Sequence, residues 1–350
     1  MTALLLLTLA CRVPPEQETE SPDTEDSETA PPSFEMLVSS AGNYSVQRLR
    51  FVEGEYKESG PEVIWTWEVD AGFETPHRPH GLSIDGDRVL VSLFEWETDA
   101  YNVALDLETG ALLNNITTAT GADWGGTPER DGERSTHNII ADPSGDGYIL
   151  SDTHNHRILG IDESGSFRWE ISQSTIWEAG YVQSYFANPN DVELVEIDGE
   201  SRLQVSCRGD SFNQVLWFKP AEALRPGDPP WELERIYPPS NLPDLMLQNH
   251  NPLQLEDGSG FVVANSFYNR VDSVNWDDEV VWSFPGLDCD DTESFKWPRG
   301  FLWTPWETLL VGDTRNGRLV EVDPKQGCLD EGLIWSIDGF AEVYDLLVIP

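Results

Sequence analysis

The amino-acid sequence predicts an all-β fold, a single six-bladed β-propeller of four-stranded blades whose ring is closed by pairing N-terminal strands with the C-terminal strand. Three observations carry that expectation. Five segments repeat one layout: a polar entry, an apolar strand, an acidic or glycine-containing turn, and a second apolar strand. A third and a fourth strand follow each segment under signatures of their own. The two ends of the chain carry unmatched strands that complete one another. Self-similarity at a roughly fixed spacing marks repeat architectures, and four short strands per unit with turn residues between them is the layout of a propeller blade.

The repeats begin at Pro79 (PHGLSIDGDRVLVS), Thr136 (THNIIADPSGDGYILSD), Pro189 (PNDVELVEIDGESRLQVSC), Asn249 (NHNPLQLEDGSGFVVAN) and Pro298 (PRGFLWTPWETLLVGD), 45 to 60 residues apart. A sixth start, VYDLLVIP from Val343, ends the chain. The third strands open as DTHNHRILGID at Asp152, NSFYNRVDSVN at Asn265 and DTRNGRLVEVD at Asp313, with longer variants at Leu93 and Cys207. Fourth strands are marked by Trp65, Trp169, Trp231, Trp282 and Trp335. Strand-like segments over residues 34–40, 44–51 and 62–69 lack an inner partner, and Val343 onward lacks three outer ones. Pairing the two sets removes the edges that an open stack would expose.

Ahead of the propeller, residues 1–11 (MTALLLLTLAC) form an apolar run too short to span a bilayer. Residues 12–35 hold eight acids against one base and little to bury, which predicts a disordered tether. The propeller is then expected over residues 36–350. Charge is the outlying quantity: 63 acidic against 21 basic side chains leave -42. Such a surface repels phosphate backbones and anionic lipid, so nucleic-acid partners and polybasic membrane binding are excluded. Removing the tether's -7 leaves -35 on the rest, so the folded domain is acidic in its own right.

The apolar run ending in Cys11 resembles a bacterial lipoprotein signal, which implies export, lipid attachment at Cys11 and a chain held in the cell envelope only by that anchor. Three cysteines then remain, so at most one disulfide can form, and the absence of a CxxC pair argues against a cysteine-rich zinc site. Cys289 falls in a loop joining an outer strand to the next inner strand. Cys328 falls in a third-to-fourth strand loop. Those loop types lie on opposite faces of a propeller, so a Cys289–Cys328 bridge is not expected, and Cys207 reads as a buried free thiol.

The DTHNHRILGID and DTRNGRLVEVD segments resemble NHL repeats, with their D-x-x-N-x-R core. The Trp-marked outer strands and the run LVEVDPKQGCLDEGLIWSI resemble bacterial arylsulfotransferase propellers. The resemblance spans about residues 60–350. It implies transfer of a sulfuryl group from an aryl sulfate to a phenolic acceptor through a sulfated channel histidine, with no nucleotide donor and no cofactor.

The inner-strand starts supply candidates for that chemistry. Aligning them puts His80, His137, Asn190, His250, Arg299 and Tyr344 at one equivalent position, where packing alone would favour apolar residues. A neutral imidazole is a competent nucleophile near neutral pH. Arg299 offers a fork of donors to sulfate oxygens, and the other imidazoles can stabilise or protonate the leaving phenolate. His250 is the first choice as nucleophile, flanked by Asn249 and Asn251, with His137 beside Asn138 close behind; His80 is a further catalytic candidate of the same ring. Asn138, Asn190, Asn249, Asn251 and Tyr344 are the expected substrate contacts. His77, His154 and His156 fall outside the ring.

Other readings use the same residues. A polar ring can simply face water. Three imidazoles can hold Zn²⁺, an arrangement similar to the NHL-type lyase that cleaves peptidyl-α-hydroxyglycine. A tethered propeller can also bind a protein or glycan without catalysis, and Asp288, Asp290 and Asp291 can hold Ca²⁺ in a loop. The first expectation remains a monomeric, arylsulfotransferase-like enzyme acting on a small aryl sulfate and a phenol, with no resident metal.

Overall fold

A computed structural model of the protein describes residues 31–69, 77–94, 101–116, 136–181, 186–208, 213–222, 228–238, 246–255, 257–291 and 294–350. Cys11, the 1–11 signal and the tether as far as residue 30 lie outside the described residues.

Among the described residues, twenty-four strands form six four-stranded antiparallel sheets arranged as a ring. The chain opens with β1 (Ser33–Ser40), β2 (Ser45–Val52) and β3 (Glu62–Glu68), the three outer strands of the sixth blade. Blade one is β4 (Arg78–Asp85), β5 (Arg88–Phe94), β6 (Tyr101–Asp106) and β7 (Leu112–Ile116); blade two is β8 (Thr136–Ala141), β9 (Tyr148–Asp152), β10 (Arg157–Ile161) and β11 (Phe167–Ile171). Blade three is β12 (Pro189–Ile197), β13 (Glu200–Cys207), β14 (Gln214–Pro220) and β15 (Trp231–Tyr237); blade four is β16 (Asn249–Gln254), β17 (Gly260–Asn265), β18 (Arg270–Asn275) and β19 (Val280–Phe284). Blade five is β20 (Pro298–Trp303), β21 (Leu309–Asp313), β22 (Arg318–Val322) and β23 (Leu333–Asp338). The last strand, β24 (Val343–Val348), pairs antiparallel with β1, Met36 opposite Val348 and Ser39 opposite Asp345, and so closes the ring as the sequence predicts.

Second strands such as YILSD, FVVAN and LLVGD are buried along their whole length, because a neighbouring blade covers each face. Six apolar clusters result, one at each blade–blade interface around the ring. The tryptophan signature has a steric reading: Trp169 lies flat over Gly160, where an added Cβ would meet the indole at 2.2 Å. The D-x-x-N-x-R signature is a turn staple. Asp152 accepts from Asn155 Nδ2 and Arg157 Nε, and Asp313 from Asn316 Nδ2 and Arg318 Nε, fixing the turn between second and third strands.

Every inner strand carries a bulge near its start, opposite the second strand of its own blade. The extra residue re-aims side chains at that point. Serines on the second strands connect these bulges. Ser92 Oγ accepts from Gly81 N (2.8 Å) and donates to His137 O of blade two (2.6 Å). Ser39 Oγ accepts from Asp345 N (2.9 Å) and donates to His80 O of blade one (2.6 Å), and Ser151 Oγ accepts from Asn138 N (2.8 Å). Ser206, the corresponding serine of blade three, is buried with no hydrogen-bond partner among the described residues.

Two expectations change. The propeller begins at Ser33 rather than residue 36, because Phe34 stacks on Phe51 at 4.9 Å and the Glu35 carboxylate receives both Arg48 and Arg50. Cys289 and Cys328 are disulfide-bonded, their Cα atoms 5.5 Å apart, against the expectation from loop topology. The connection from β22 to β23 is long, includes the helix α1 (Leu329–Gly332), and reaches sideways to the end of blade four's outer strand. There Gly286 N donates to Gly327 O at 2.7 Å, and Gly332 packs against Phe284. The two loops meet at the outer rim, where the rule of opposite faces no longer separates them. Cys207 is a buried free thiol, as expected.

Candidate active site in the propeller channel

The bulges bring together six inner-strand side chains at one end of the channel. His80 and His137 stack with ring centroids 4.1 Å apart, and Tyr344 lies 4.5 Å from His80. The Arg299 guanidinium sits over the Tyr344 ring at 3.9 Å and points NH1 at His80 Nε2, 3.3 Å away. Asn190 Nδ2 is 2.6 Å from His137 Nδ1. His250 is fully buried, its charge sensitive to Arg299 and His80 across the channel.

The hydrogen bonds assign the tautomers. Ser266 Oγ gives its own proton to the Pro298 carbonyl, so it can only accept from His250 Nδ1 at 2.7 Å. The lone pair of His250 is thereby fixed on Nε2, which faces Arg208 NH1 at 3.4 Å. His137 is the opposite case. Its Nδ1 accepts from Asn190, leaving Nε2–H as a buried donor with no partner among the described residues, like Arg299 Nε. Burial holds all three imidazoles well below their ordinary pKa, helped by Arg299 at His80 and His250 and by His80 at His137. They are therefore neutral at pH 7. The expected role of these histidines as proton donors gives way to hydrogen-bond donation from neutral N–H groups. The stacked rings of His80 and His137 do not suit a shared zinc ion, and among the described residues the three imidazoles do not bring a nitrogen each within 4.8 Å of one another.

One residue further along each inner strand stands a second, tighter ring. Gly81 and Gly300 leave room there, since a Cβ on Gly81 would lie 2.7 Å from the Asn138 side chain and one on Gly300 2.8 Å from Leu346 N. Asn138 donates to Asp191, and Asn251, held at φ 45°, donates to Asp345 Oδ1 at 2.8 Å. Asn249 is turned aside to Gln214 O. So Asn190 and Tyr344 join the upper ring, while Asn138, Asn249 and Asn251 do not. His77 packs edge-on against Tyr101, and His156 accepts from Asn188 N.

Sequence reasoning missed Arg208 and placed His154 outside, although His154 lies 6.2 Å from His137. Arg208 and Ser266 stand immediately after the second strand of their blades and Phe94 is the last residue of its own, and each touches a ring histidine. Thr153 and Thr314, at the same position in blades two and five, donate to the next blade's Pro189 and Val343 carbonyls. Aligning that position as well as the strand starts exposes this second tier. Asp291, one of the candidate calcium ligands, instead accepts from Leu329 N and Asp330 N at the start of α1.

No family profile and no curated protein matches the chain in sequence. Among solved structures, a protein of unknown function from Bacteroides caccae is similar at TM-score 0.56 and 14% identity, covering 91% of this chain and 99% of that one. A putative 6-phosphogluconolactonase from Bacteroides fragilis gives 0.54 and 15%, covering 94% and 100%. A periplasmic gluconolactonase from Pseudomonas aeruginosa gives 0.53 and 13%, covering 91% and 99%. At these identities the likeness is one of fold.

Proposed function

We propose that the upper ring moves a sulfuryl group from an aryl sulfate to a phenolic acceptor, through a sulfated His250 and without a nucleotide donor. The observation that carries this reading is the His250 Nε2 lone pair, fixed by Ser266 and facing a guanidinium inside a ring that holds a second one. In the first half-reaction Nε2 attacks sulfur. The N–S bond forms, the S–O bond to the aryl group breaks, and its electron pair leaves on the phenolate oxygen. Arg208 and Arg299 offset the charge on the sulfuryl oxygens, and the unpartnered N–H of His137 suits the departing oxygen. In the second half-reaction the acceptor oxygen attacks sulfur, returns His250 to its neutral form, and loses its proton to solvent, from which the first phenolate takes one up.

The test is incubation of the full chain with nitrophenyl sulfate and phenol, with and without chelator. Chelator-insensitive turnover is expected, together with a tryptic peptide bearing His250 and one added SO₃ when the acceptor is left out. His250→Ala and Arg299→Ala should lose at least about a hundredfold in kcat, the scale of removing one oxyanion donor or nucleophile. A folded protein with no turnover, or a His250→Ala variant with full activity, overturns the proposal. The lipoprotein-like residues 1–11 extend the proposal to an exported chain anchored at Cys11, for which incorporation of radioactive fatty acid is the check.

A further inference from the structure

The opposite end of the channel opens into a cavity of about 950 Å³ to which the later halves of all six inner strands contribute. Its wall is largely apolar, with Leu82, Leu253, Phe301, Trp303 and Leu347 among the lining residues. Four carboxylates reach it. Two are neutralised on the spot, Asp85 by Arg88 and Asp142 by Arg168 at 3.2 Å. The other two, Glu193 and Asp345, have no basic partner among the described residues, and Asp191 stands behind them one layer further in. Asp191 is 4% exposed, yet its Oδ2 has no hydrogen-bond partner.

Three acids thus repel one another with no cation beside them among the described residues, in a channel whose other end concentrates two arginines. Unpaired buried charge is costly, and such groups are ordinarily paired or ligand-bound. The spacing speaks against a chelated metal ion. A calcium ion draws its oxygens to about 2.4 Å, so ligand atoms stand within about 4.8 Å of one another. These three carboxylates form no such group among the described residues. An ammonium group reaches further, to oxygens about 2.8 Å from nitrogen, and the apolar wall suits a carbon body behind it.

We propose that this lower cavity is a binding site for an organic cation, an ammonium group on an apolar body, with the charge held between Glu193 and Asp345 and the body against Leu253, Phe301 and Leu347. The site is separate from the sulfuryl-transfer ring and does not depend on it. Burial and mutual repulsion already push Glu193 and Asp345 well above the usual carboxylate range, a penalty that a bound cation removes.

Calorimetric titration of the full chain with phenethylamine, with its neutral counterpart phenethyl alcohol, and with calcium chloride tests the proposal. One amine is expected to bind per chain, at least tenfold more tightly than the alcohol, and calcium should not displace it. Glu193→Gln, which removes no hydrogen bond of the fold, should weaken the amine at least tenfold and leave the alcohol unchanged. Leu253→Trp should weaken both by narrowing the cavity. Equal affinity for amine and alcohol, amine binding indifferent to Glu193→Gln, or displacement of the amine by calcium overturns it.

Discussion

Replacing Ser92 with alanine isolates what the inter-blade hydrogen bonds contribute. Ser92 Oγ is buried, takes the Gly81 N–H at 2.8 Å and gives its proton to the His137 carbonyl at 2.6 Å. Alanine fits the space but strands one buried donor and one buried acceptor, each costing about 1–2 kcal/mol. The expected loss is therefore about 2–4 kcal/mol. With a urea m-value of about 3 kcal/mol/M for a chain of this size, the midpoint should fall by about 1 M. Ser206 supplies the control. It occupies the equivalent place in blade three, is equally buried, and has no partner, so Ser206→Ala removes an unsatisfied hydroxyl and should be neutral or slightly stabilising. Urea titrations of the two variants, followed by tryptophan fluorescence, decide the matter. If Ser92→Ala falls within about 0.5 kcal/mol of Ser206→Ala, the serines do not hold the bulges in register and the reasoning fails.

The disulfide closes a loop of 39 residues, for which chain entropy gives about 4 kcal/mol, so Cys289→Ser should lower unfolding stability by about that amount. Reducing the wild type should do the same, while Cys207, buried and with its thiol pushed up by that burial, stays unalkylated until unfolding. The pH dependence has two opposed parts. The ring imidazoles are held neutral when folded and take up protons on unfolding, so their contribution is fully present above about pH 6.5 and is lost as pH falls, by up to about 1.4 kcal/mol per unit for each. Asp191 has the opposite sign. Burial raises it from 3.8 to about 6, so its contribution is present at low pH and is lost as pH rises through that interval. Asp191→Asn should gain stability on the wild type between about pH 4 and pH 6 and then hold level in denaturation series; a constant difference refutes the assignment.

The blades were legible because each repeats one hydrophobic alternation between turn residues, and the closing strand was legible because VYDLLVIP starts a blade it cannot finish. The upper ring was legible in part. Its inner-strand members share a fixed place after a polar entry, but Arg208 and His154 follow second strands whose loops differ in length from blade to blade, which hides their equivalence in the sequence. The lower carboxylates were not legible. The alignment puts Asp191 and Asp345 one residue after the ring position, but in a chain with 63 acids nothing marks them as buried, and the close approach at Gly81 and Gly300 shows only in the fold. Face-by-face loop logic misjudged the disulfide, because it treats a blade as flat while the long connection after Val322 wraps around its edge.

Closing the ring with the last strand sets an order of events during synthesis. Met36–Ser40 emerges about three hundred residues before its partner, and Ser39 waits across 306 residues for the Asp345 amide it accepts. Until Val343–Val348 is released, β1 keeps an unpaired edge, and neither channel ring has its sixth side. Tyr344 and Asp345, one from each ring, both lie on this closing strand. A nascent or clipped chain can therefore own five complete blades and still lack the strand that completes both channel rings.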